Sequence, residues 1–434
     1  MKYYFFALVF IILVGFWLRF ANLSTIPRHG ATFDEFAWTW QGINLIQKSI
    51  PISWSPHPQY MQKQHLIYQG AAFWIVKPYL EHPPLFGLVS GAFALLNGVS
   101  DMYHVTLEKI RPLSLILGTF SIFMIFVLCK EFYDKKTALI ASLLYATIPT
   151  IVIGSRLVQN ENFMIPFWLL SLYLVSIYLK TGKKIWVILA GVIAGLLSLA
   201  KVPWLIVGLS LSMVLINKRK WKDAFLVGGL TVLIFSFFIF YGIYYDKELF
   251  FSLWRLQLSR YDISFSGIFS IFTNPLLVDW GYLDGWILFG WFSMFLALKN
   301  LKKNVLIIIP FIAYFILFAF AIPNEPGHGW YRYPFYPFLI ISTALFIKEE
   351  FVKPSLSLVL FFLVVGLSLM ANTWEQAFGF SYPIYRASII VWSLPILSLL
   401  LPSKKTIFLT KTVVILSAIC FIILNIFAVF SYHG

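Results

Sequence analysis

Long apolar stretches recur along the chain from Tyr3 to Phe430, and short polar segments separate them. Most are close to the roughly 20 residues that a helix needs to cross a bilayer. Thirteen such stretches predict an all-α polytopic membrane protein, with residues 1–434 forming a single transmembrane domain and no soluble C-terminal domain. The predicted spans are residues 3–21, 112–129, 137–154, 163–179, 185–200, 202–217, 223–244, 283–298, 305–322, 334–347, 355–371, 387–401 and 407–430.

The longest segment outside these spans is the loop 22–110, which is predicted to contain interfacial helices. Residues 34–47 carry apolar side chains at helical spacing, which is typical of a helix lying on a membrane surface. Residues 84–96 are apolar but shorter than the roughly 17–25 residues of a crossing, so they predict an interfacial or re-entrant helix. A second large loop is predicted at residues 246–282.

The distribution of charge sets the predicted orientation and excludes nucleic acid as a partner. The chain is 60% hydrophobic and 12% charged, which is typical of a polytopic membrane protein. Its net charge of +15 would suggest nucleic acid in a soluble protein, but most lysines fall in short loops between spans. Short basic loops are cytoplasmic by the positive-inside rule. The N-terminus is therefore expected in the cytoplasm, and both long loops on the extracytoplasmic face of the plasma membrane.

An acidic pair, Asp34-Glu35, follows the outer end of the first predicted span. Charges near the hydrocarbon core are costly and usually functional. Adjacent side chains on a helix point about 100° apart, so only one of the two carboxylates need face a site. The pattern favours Asp34 as a general base for an acceptor hydroxyl, with Glu35 near the donor or acceptor sugar. The alternative is a pair of charges that complements the helix dipole.

A second polar cluster, Glu81-His82, precedes the two prolines that begin the short apolar helix. At the bilayer surface these side chains are predicted to bind a sugar or a sugar phosphate. A divalent metal ion held by Glu81 and His328 is an open alternative. Two candidate ligands give a weak metal signal, because protein metal sites usually have more, and no cofactor is required.

Four cationic side chains on the predicted outer face are candidates for binding a lipid phosphate. Lys201 stands alone at a tight turn between apolar stretches, where it either snorkels to the headgroups or meets a specific anion. Arg332 lies in an aromatic belt at the start of a span, and a guanidinium can hold a phosphate bidentately. Arg255 lies in the second long loop, in a segment whose polar residues recur at helical spacing. Arg156 and Glu161 flank another pair of spans, where they either form an ion pair or contribute to phosphate and sugar binding.

All of these ionisable residues fall on one face of the predicted topology. Ionisable residues in the middle of spans are nearly absent, which weighs against ion-coupled transport because such residues mark transport pathways. Carboxylates and cations on one membrane face indicate chemistry on a lipid-borne substrate.

The order and spacing of several motifs resemble the GT-C membrane glycosyltransferases, in the branch that contains the protein O-mannosyltransferases and the aminoarabinose transferase of lipid A. The resemblance extends from Arg19 to about Pro337. Its motifs are Phe33-Asp34-Glu35, Glu81-His82-Pro83-Pro84-Leu85, Arg111-Pro112-Leu113-Ser114, Ser155-Arg156 with Glu161, the stretch from Gly195 to Lys201, and the stretch from Arg332 to Pro337.

The resemblance implies a polyprenyl-phosphate-linked sugar donor, an extracytoplasmic active site and inversion at the anomeric carbon. Asp34 is similar to the family's catalytic base, and Lys201 and Arg332 are similar to the residues that hold the leaving lipid phosphate. Glu81 matches a position that helps hold a metal in some relatives.

Together with the charge pattern, this resemblance implies a glycosyltransferase that moves a single hexosyl or pentosyl group from a polyprenyl-phosphate donor. The acceptor is expected outside the cytoplasm and is a protein, a lipid or a glycan. The alternative is a transporter or flippase of a polyprenyl-linked or amphiphilic substrate. A transporter or flippase would also have these cationic residues on the outer face, but it would require charged residues deep between helices.

Overall fold

The computed structural model describes residues 2–259, 265–321, 328–351, 355–374, 379 and 381–433, and helices dominate it. The helices are α1 (Lys2–Phe20), α2 (Asp34–Lys48), α3 (Leu85–Leu96), α4 (Leu107–Ile110), α5 (Pro112–Phe132), α6 (Lys135–Thr147), α7 (Pro149–Gly154), α8 (Asn160–Thr181), α9 (Lys184–Ser198), α10 (Leu205–Asn217), α11 (Trp221–Ser259), α12 (Phe265–Thr273), α13 (Gly285–Leu298), α14 (Leu301–Ala321), α15 (Tyr336–Glu350), α16 (Leu356–Leu369), α17 (Tyr382–Ser393), α18 (Leu397–Leu400) and α19 (Lys404–Ser431). Short 3₁₀ helices are formed by Met102–His104, Val202–Trp204, Gly329–Phe335 and Leu394–Ile396, and Met370–Trp374 form a π turn.

Within the described residues, eight helical segments are long and apolar enough to cross a membrane, and four shorter apolar helices accompany them. The prediction of an all-α polytopic protein is confirmed. Each of the thirteen predicted spans falls on a described helix or on consecutive helices, but the number of crossings stays a prediction. The predicted span 137–154 is divided between two helices, so helices and crossings do not correspond one to one. Pro149 has no backbone N–H, so α6 ends at Thr147 and a new helix begins at the proline.

The loop 22–110, predicted as a row of helices, also forms a three-stranded antiparallel sheet. Its strands are β1 (Ser53–Trp54), β2 (Lys63–Tyr68) and β3 (Ala71–Val76), in the order β1-β3-β2. Gln69 and Gly70, both with positive φ, make the two-residue turn between β2 and β3. Helices are present in this loop as predicted, but the sheet was not predicted, because a short hairpin is signalled by its turn residues and not by an apolar run.

Helix α2 is buried within the protein. All ten residues from Glu35 to Asn44 are buried, so other parts of the protein cover this helix on both faces, and its predicted place at the membrane surface stays a prediction. The cause of this burial is a close crossing with α3. A Cβ atom on Gly42 would lie only 1.7 Å from the Gly87 carbonyl oxygen. Small residues at such crossings let two helix backbones approach each other.

We expect Gly42→Ala to destabilise the protein by about 1–3 kcal/mol, the usual range for overpacking, because the added methyl group displaces α3. Gly229→Ala in α11 is the matched control, since a Cβ atom there meets no atom within 4 Å. Thermal unfolding of both variants in detergent measures the difference. Equal melting temperatures for the two variants would contradict the close packing of α2 on α3.

Helix α11 continues beyond its predicted span and packs on the loop 22–110. Asp246 has a non-helical conformation, so the helix bends there. The part beyond the bend joins the loop in an apolar cluster made of Tyr60, Val76, Tyr79, Leu80, Phe238, Phe250 and Leu253. The predicted second loop, 246–282, therefore begins as helix; its residues 260–264 lie outside the described residues.

Candidate functional site

The two carboxylates of the acidic pair lie in different environments, as helix geometry predicts. Glu35 is 2% exposed and forms a bidentate ion pair with Arg111, with N–O distances of 3.0 and 2.9 Å. The Val158 backbone N–H also donates to Glu35, at 3.0 Å. Arg111 donates in turn to the carbonyls of Leu23 and Pro27. Glu35 thus holds three chain segments together, and its predicted contact with a sugar stays a prediction.

Asp34 is the carboxylate of the pair that keeps access to solvent. It begins α2, and among the described side chains only the Gln159 amide donates to its carboxylate, at 3.3 Å. Gln159 is oriented by Trp38, whose indole N–H donates to the amide oxygen at 3.3 Å. Asp34 therefore retains lone pairs for a further proton donor, which a general base requires. Gln159 could not be recognised from the sequence alone, because a neutral amide leaves no charge pattern.

Lys201 forms a buried ion pair with Glu161. Their N–O distance is 2.7 Å, and the side chains are 9% and 0% exposed. The ammonium also lies over the rings of Tyr331 and Trp204, at 5.0 and 5.6 Å from the centroids. Burial alone would lower the pKa of Lys201, but Glu161 and Tyr331 more than offset this and raise the pKa above its usual value. Lys201 is therefore a fixed cation and does not snorkel freely.

Arg156 does not pair with Glu161, so that alternative is wrong. Its guanidinium donates to the backbone carbonyls of Leu18, at 2.8 Å, and Ile26, at 3.3 Å. Carbonyls at a helix end need such donors, because they have no partner within the helix. Arg156 thus contacts the end of α1, and its predicted role in phosphate binding stays untested.

Glu81 lies beside His57, which the sequence analysis did not identify. The His57 ring and the Glu81 carboxylate are 3.4 Å apart, and both side chains are largely buried. Gln257 of α11 approaches the same ring at 3.4 Å. His82 packs on the indole of Trp38, with 4.8 Å between ring centroids. A histidine in a loop carries no periodic signal, so only its position in space reveals it.

The segment that carries Glu81 lies next to the turn that carries Lys201. The Leu85 backbone N–H donates to the Leu199 carbonyl at 2.9 Å. Asp34 interacts electrostatically with both Glu161 and Lys201. These contacts bring several of the predicted residues together in what we call the polar cluster. The polar cluster consists of Asp34, His57, Glu81, His82, Gln159, Glu161 and Lys201.

No group of three His, Cys, Asp or Glu side chains is close enough to hold a metal ion within the described residues. His328 stacks on Trp330, with 4.3 Å between ring centroids. The metal site suggested for Glu81 and His328 therefore stays a prediction.

Arg332 lies one residue from Tyr331, the aromatic side chain that covers Lys201, but it makes different contacts. Its guanidinium donates to the carbonyls of Ser270, at 3.1 Å, and Asn274, at 2.8 Å. Arg255 is exposed on α11. The lipid-phosphate contacts predicted for both arginines stay predictions.

Comparison with known proteins identifies one family model and several structures of similar fold. The family model of dolichyl-phosphate-mannose-protein mannosyltransferases matches residues 81–243, which is less than half of the chain. The chain also aligns with the crystal structure of ArnT from Cupriavidus metallidurans bound to undecaprenyl phosphate. That alignment has a TM-score of 0.56 and 14% sequence identity, and it covers 96% of this chain and 76% of ArnT. The chain therefore shares the fold of ArnT.

Another structure that it resembles is the apo oligosaccharyltransferase of Archaeoglobus fulgidus, with a TM-score of 0.52 and 14% identity over 95% of this chain. The AglB oligosaccharyltransferase of the same organism, in complex with an inhibitory peptide and a dolichol-phosphate, aligns with a TM-score of 0.50 and 13% identity over 96% of this chain. The chain spans 56% of the length of each of these oligosaccharyltransferases. Comparison with curated protein sequences gives no significant match.

Proposed function

We propose that the protein is a glycosyltransferase that moves one sugar from a polyprenyl-phosphate carrier to a hydroxyl acceptor outside the cytoplasm, with inversion at the anomeric carbon. The proposal rests on the half-buried Asp34 carboxylate, which among the described residues accepts from a single side-chain amide and interacts electrostatically with the buried Lys201. The GT-C fold, and neighbours described as bound to undecaprenyl phosphate or dolichol-phosphate, support this donor class.

Asp34 is the proposed general base. It takes the proton of the acceptor hydroxyl as the oxygen forms a bond to the sugar C1. The bond from C1 to the phosphate oxygen breaks on the opposite side, and polyprenyl phosphate leaves with both electrons of that bond. One displacement of this kind inverts the configuration and needs no covalent nucleophile. Base catalysis of this type contributes typically about 10²–10⁴-fold to a rate.

Lys201 is the proposed cation for the departing phosphate. Its ammonium has three N–H donors, and the structure shows Glu161 accepting one of them. Negative charge grows on the phosphate as the bond breaks, and a fixed cation stabilises that charge without reorganisation. Glu161 acts as a positioning residue, because it keeps the ammonium charged and oriented in a buried site.

Glu81 and His82 are proposed to bind hydroxyl groups of the sugar. Burial and the Glu81 carboxylate raise the pKa of neighbouring Tyr79 well above its usual value. Tyr79 therefore stays a neutral phenol near the carboxylates, and Asp34 is the better candidate for the base. The site is proposed to lie on the extracytoplasmic face, because the short loops between spans are rich in lysine and are therefore expected in the cytoplasm.

The donor class is tested by purifying the protein and identifying bound lipids by mass spectrometry, followed by transfer assays with a panel of polyprenyl-phosphate sugars. We expect a polyprenyl phosphate to copurify and one donor sugar to be transferred to an envelope extract. Turnover of nucleotide sugars in place of lipid-linked sugars would overturn the proposal.

We expect Lys201→Ala to raise the apparent KM for the donor and lower kcat by roughly 10²–10³-fold, as the loss of one charge-stabilising donor does in other enzymes. The KM for the acceptor should change little. Lys201→Arg should recover part of the activity, because it keeps the charge. Lys184→Ala, which removes the lysine paired with Asp223, is the matched control and should leave both constants unchanged. Wild-type donor kinetics in Lys201→Ala would exclude a phosphate contact for this lysine.

A further inference from the structure

A pocket outside the polar cluster is lined by Arg332, which is the only lysine or arginine among the described residues of its lining. We call it the Arg332 pocket. It is formed by α7, α12, α13, α15, the 3₁₀ helix Gly329–Phe335 and the segment between α12 and α13. Its apolar wall consists of Ile271, Phe272, Leu276, Ile287, Leu288 and Trp291.

The Arg332 guanidinium is only partly satisfied by the protein. Nη2 donates to the carbonyls of Ser270 and Asn274. Nε and Nη1 are buried and have no hydrogen-bond partner among the described residues, and the residue is 7% exposed. Buried polar groups are nearly always hydrogen-bonded, and a buried charge without a partner is costly. Two open donors of a cation in a pocket indicate an anionic ligand.

Asp284, the only acid among the described residues that line the pocket, is already engaged. Asp284 Oδ2 accepts from the Thr150 hydroxyl at 2.6 Å, and Oδ1 accepts from the Trp286 backbone N–H at 2.9 Å. Asp284 thus caps α13 and anchors α7. No ion pair joins it to Arg332 within the part of the chain that the structure describes.

The rim of the pocket is apolar and exposed. Phe272, Leu283 and Leu288 are 41%, 49% and 37% exposed, although all three line the pocket. In a protein whose neighbouring helices are apolar enough to cross a membrane, exposed apolar side chains of this kind face lipid. An anionic group with an apolar chain therefore fits both the cation and the opening.

The Arg332 pocket is distinct from the site proposed for the reaction. Neither Asp34 nor Lys201 lines it. Consecutive residues of a 3₁₀ helix point about 120° apart, so Tyr331 covers Lys201 while Arg332 faces the pocket. A phosphate held at Arg332 is therefore a different group from the one proposed to leave at Lys201.

We propose that the Arg332 pocket binds the anionic headgroup of a membrane phospholipid, which enters from the bilayer past Leu288. The phosphate pairs with Nε and Nη1 of Arg332, and an acyl chain lies along Phe272 and Trp291. This binding is separate from the proposed transfer reaction and does not depend on it.

Native mass spectrometry of the protein released from nanodiscs tests this site, with phosphatidylglycerol compared with phosphatidylcholine. We expect the wild type to retain one phosphatidylglycerol molecule and little phosphatidylcholine. Arg332→Gln should weaken retention by roughly tenfold or more, as expected for the loss of a buried charge pair. Leu288→Trp should do the same by filling the rim, and it leaves the bonds from Arg332 to α12 in place. Lys201→Ala should retain the lipid as the wild type does.

Three outcomes would overturn the proposal. Wild-type retention by both Arg332→Gln and Leu288→Trp would leave Arg332 as a cap of α12 only. Loss of the lipid in Lys201→Ala would mean that the two cations share one site. Displacement of the phospholipid by an equimolar polyprenyl phosphate in Lys201→Ala would assign the pocket to the polyprenyl-phosphate carrier.

Discussion

Asp34→Asn is expected to reduce sugar transfer by about 10²–10⁴-fold, the contribution of a general base. Asparagine has nearly the same shape, and it can still contact Gln159, which donates to Asp34 at 3.3 Å. It cannot accept the proton of the acceptor hydroxyl. Donor binding should survive, because Lys201 and Glu161 are unchanged. Single-turnover transfer and donor binding, measured on the same preparation, separate the two effects.

Asp279→Asn is the matched control for this loss. Asp279 pairs with Arg28 at 2.6 Å, and both side chains are partly exposed, so the substitution removes another carboxylate without reaching the polar cluster. We expect its transfer rate to equal that of the wild type. Substantial turnover by Asp34→Asn would remove Asp34 from the mechanism, and an equal loss in Asp279→Asn would point to a general effect of charge.

Glu35→Gln, one residue further along, is expected to act on stability. It leaves Arg111 buried without its counter-ion, and breaking a buried ion pair by removing one partner costs about 3–5 kcal/mol. Arg111 also holds the carbonyls of Leu23 and Pro27, so the loop that leads into α2 loses its anchor. The melting temperature in detergent should fall well below those of the wild type and Asp34→Asn.

Glu35→Asp provides a graded control, because it keeps the charge but shortens the reach to Arg111. Its melting temperature should lie between those of the wild type and Glu35→Gln. If Glu35→Gln melts with the wild type but loses sugar binding, Glu35 belongs to the substrate site and not to the scaffold.

The sequence predicted much of the helical architecture because apolar length is a local property of the chain. The limits of α1, α10 and α19 differ by at most a few residues from the predicted spans. The buried position of α2 could not be predicted, since it depends on glycines in another helix. The hairpin at Gln69-Gly70 was not predicted, because a two-residue turn leaves no mark in the pattern of long apolar stretches.

The candidate site, too, could be predicted from the sequence only in part. Helix geometry alone predicts that the side chains of Asp34 and Glu35 point in different directions, and the solitary charge of Lys201 could be recognised in the sequence. The partner of Lys201 could not, because Glu161 lies 40 positions away and only the packing of α8 beside α9 joins them. His57 and Gln159 were missed because a loop histidine and a neutral amide leave no pattern in the sequence.

The proposed reaction breaks the bond between a sugar and a polyprenyl phosphate. A donor labelled with ¹⁴C in the sugar and ³²P in the phosphate, added to proteoliposomes with acceptor, tests it directly. We predict that the ¹⁴C moves to the acceptor with inverted configuration while an equal amount of ³²P remains as polyprenyl phosphate, and that Asp34→Asn blocks both changes. If the two labels stay together and cross the bilayer as one molecule, the protein is a flippase and the proposed transfer reaction is wrong.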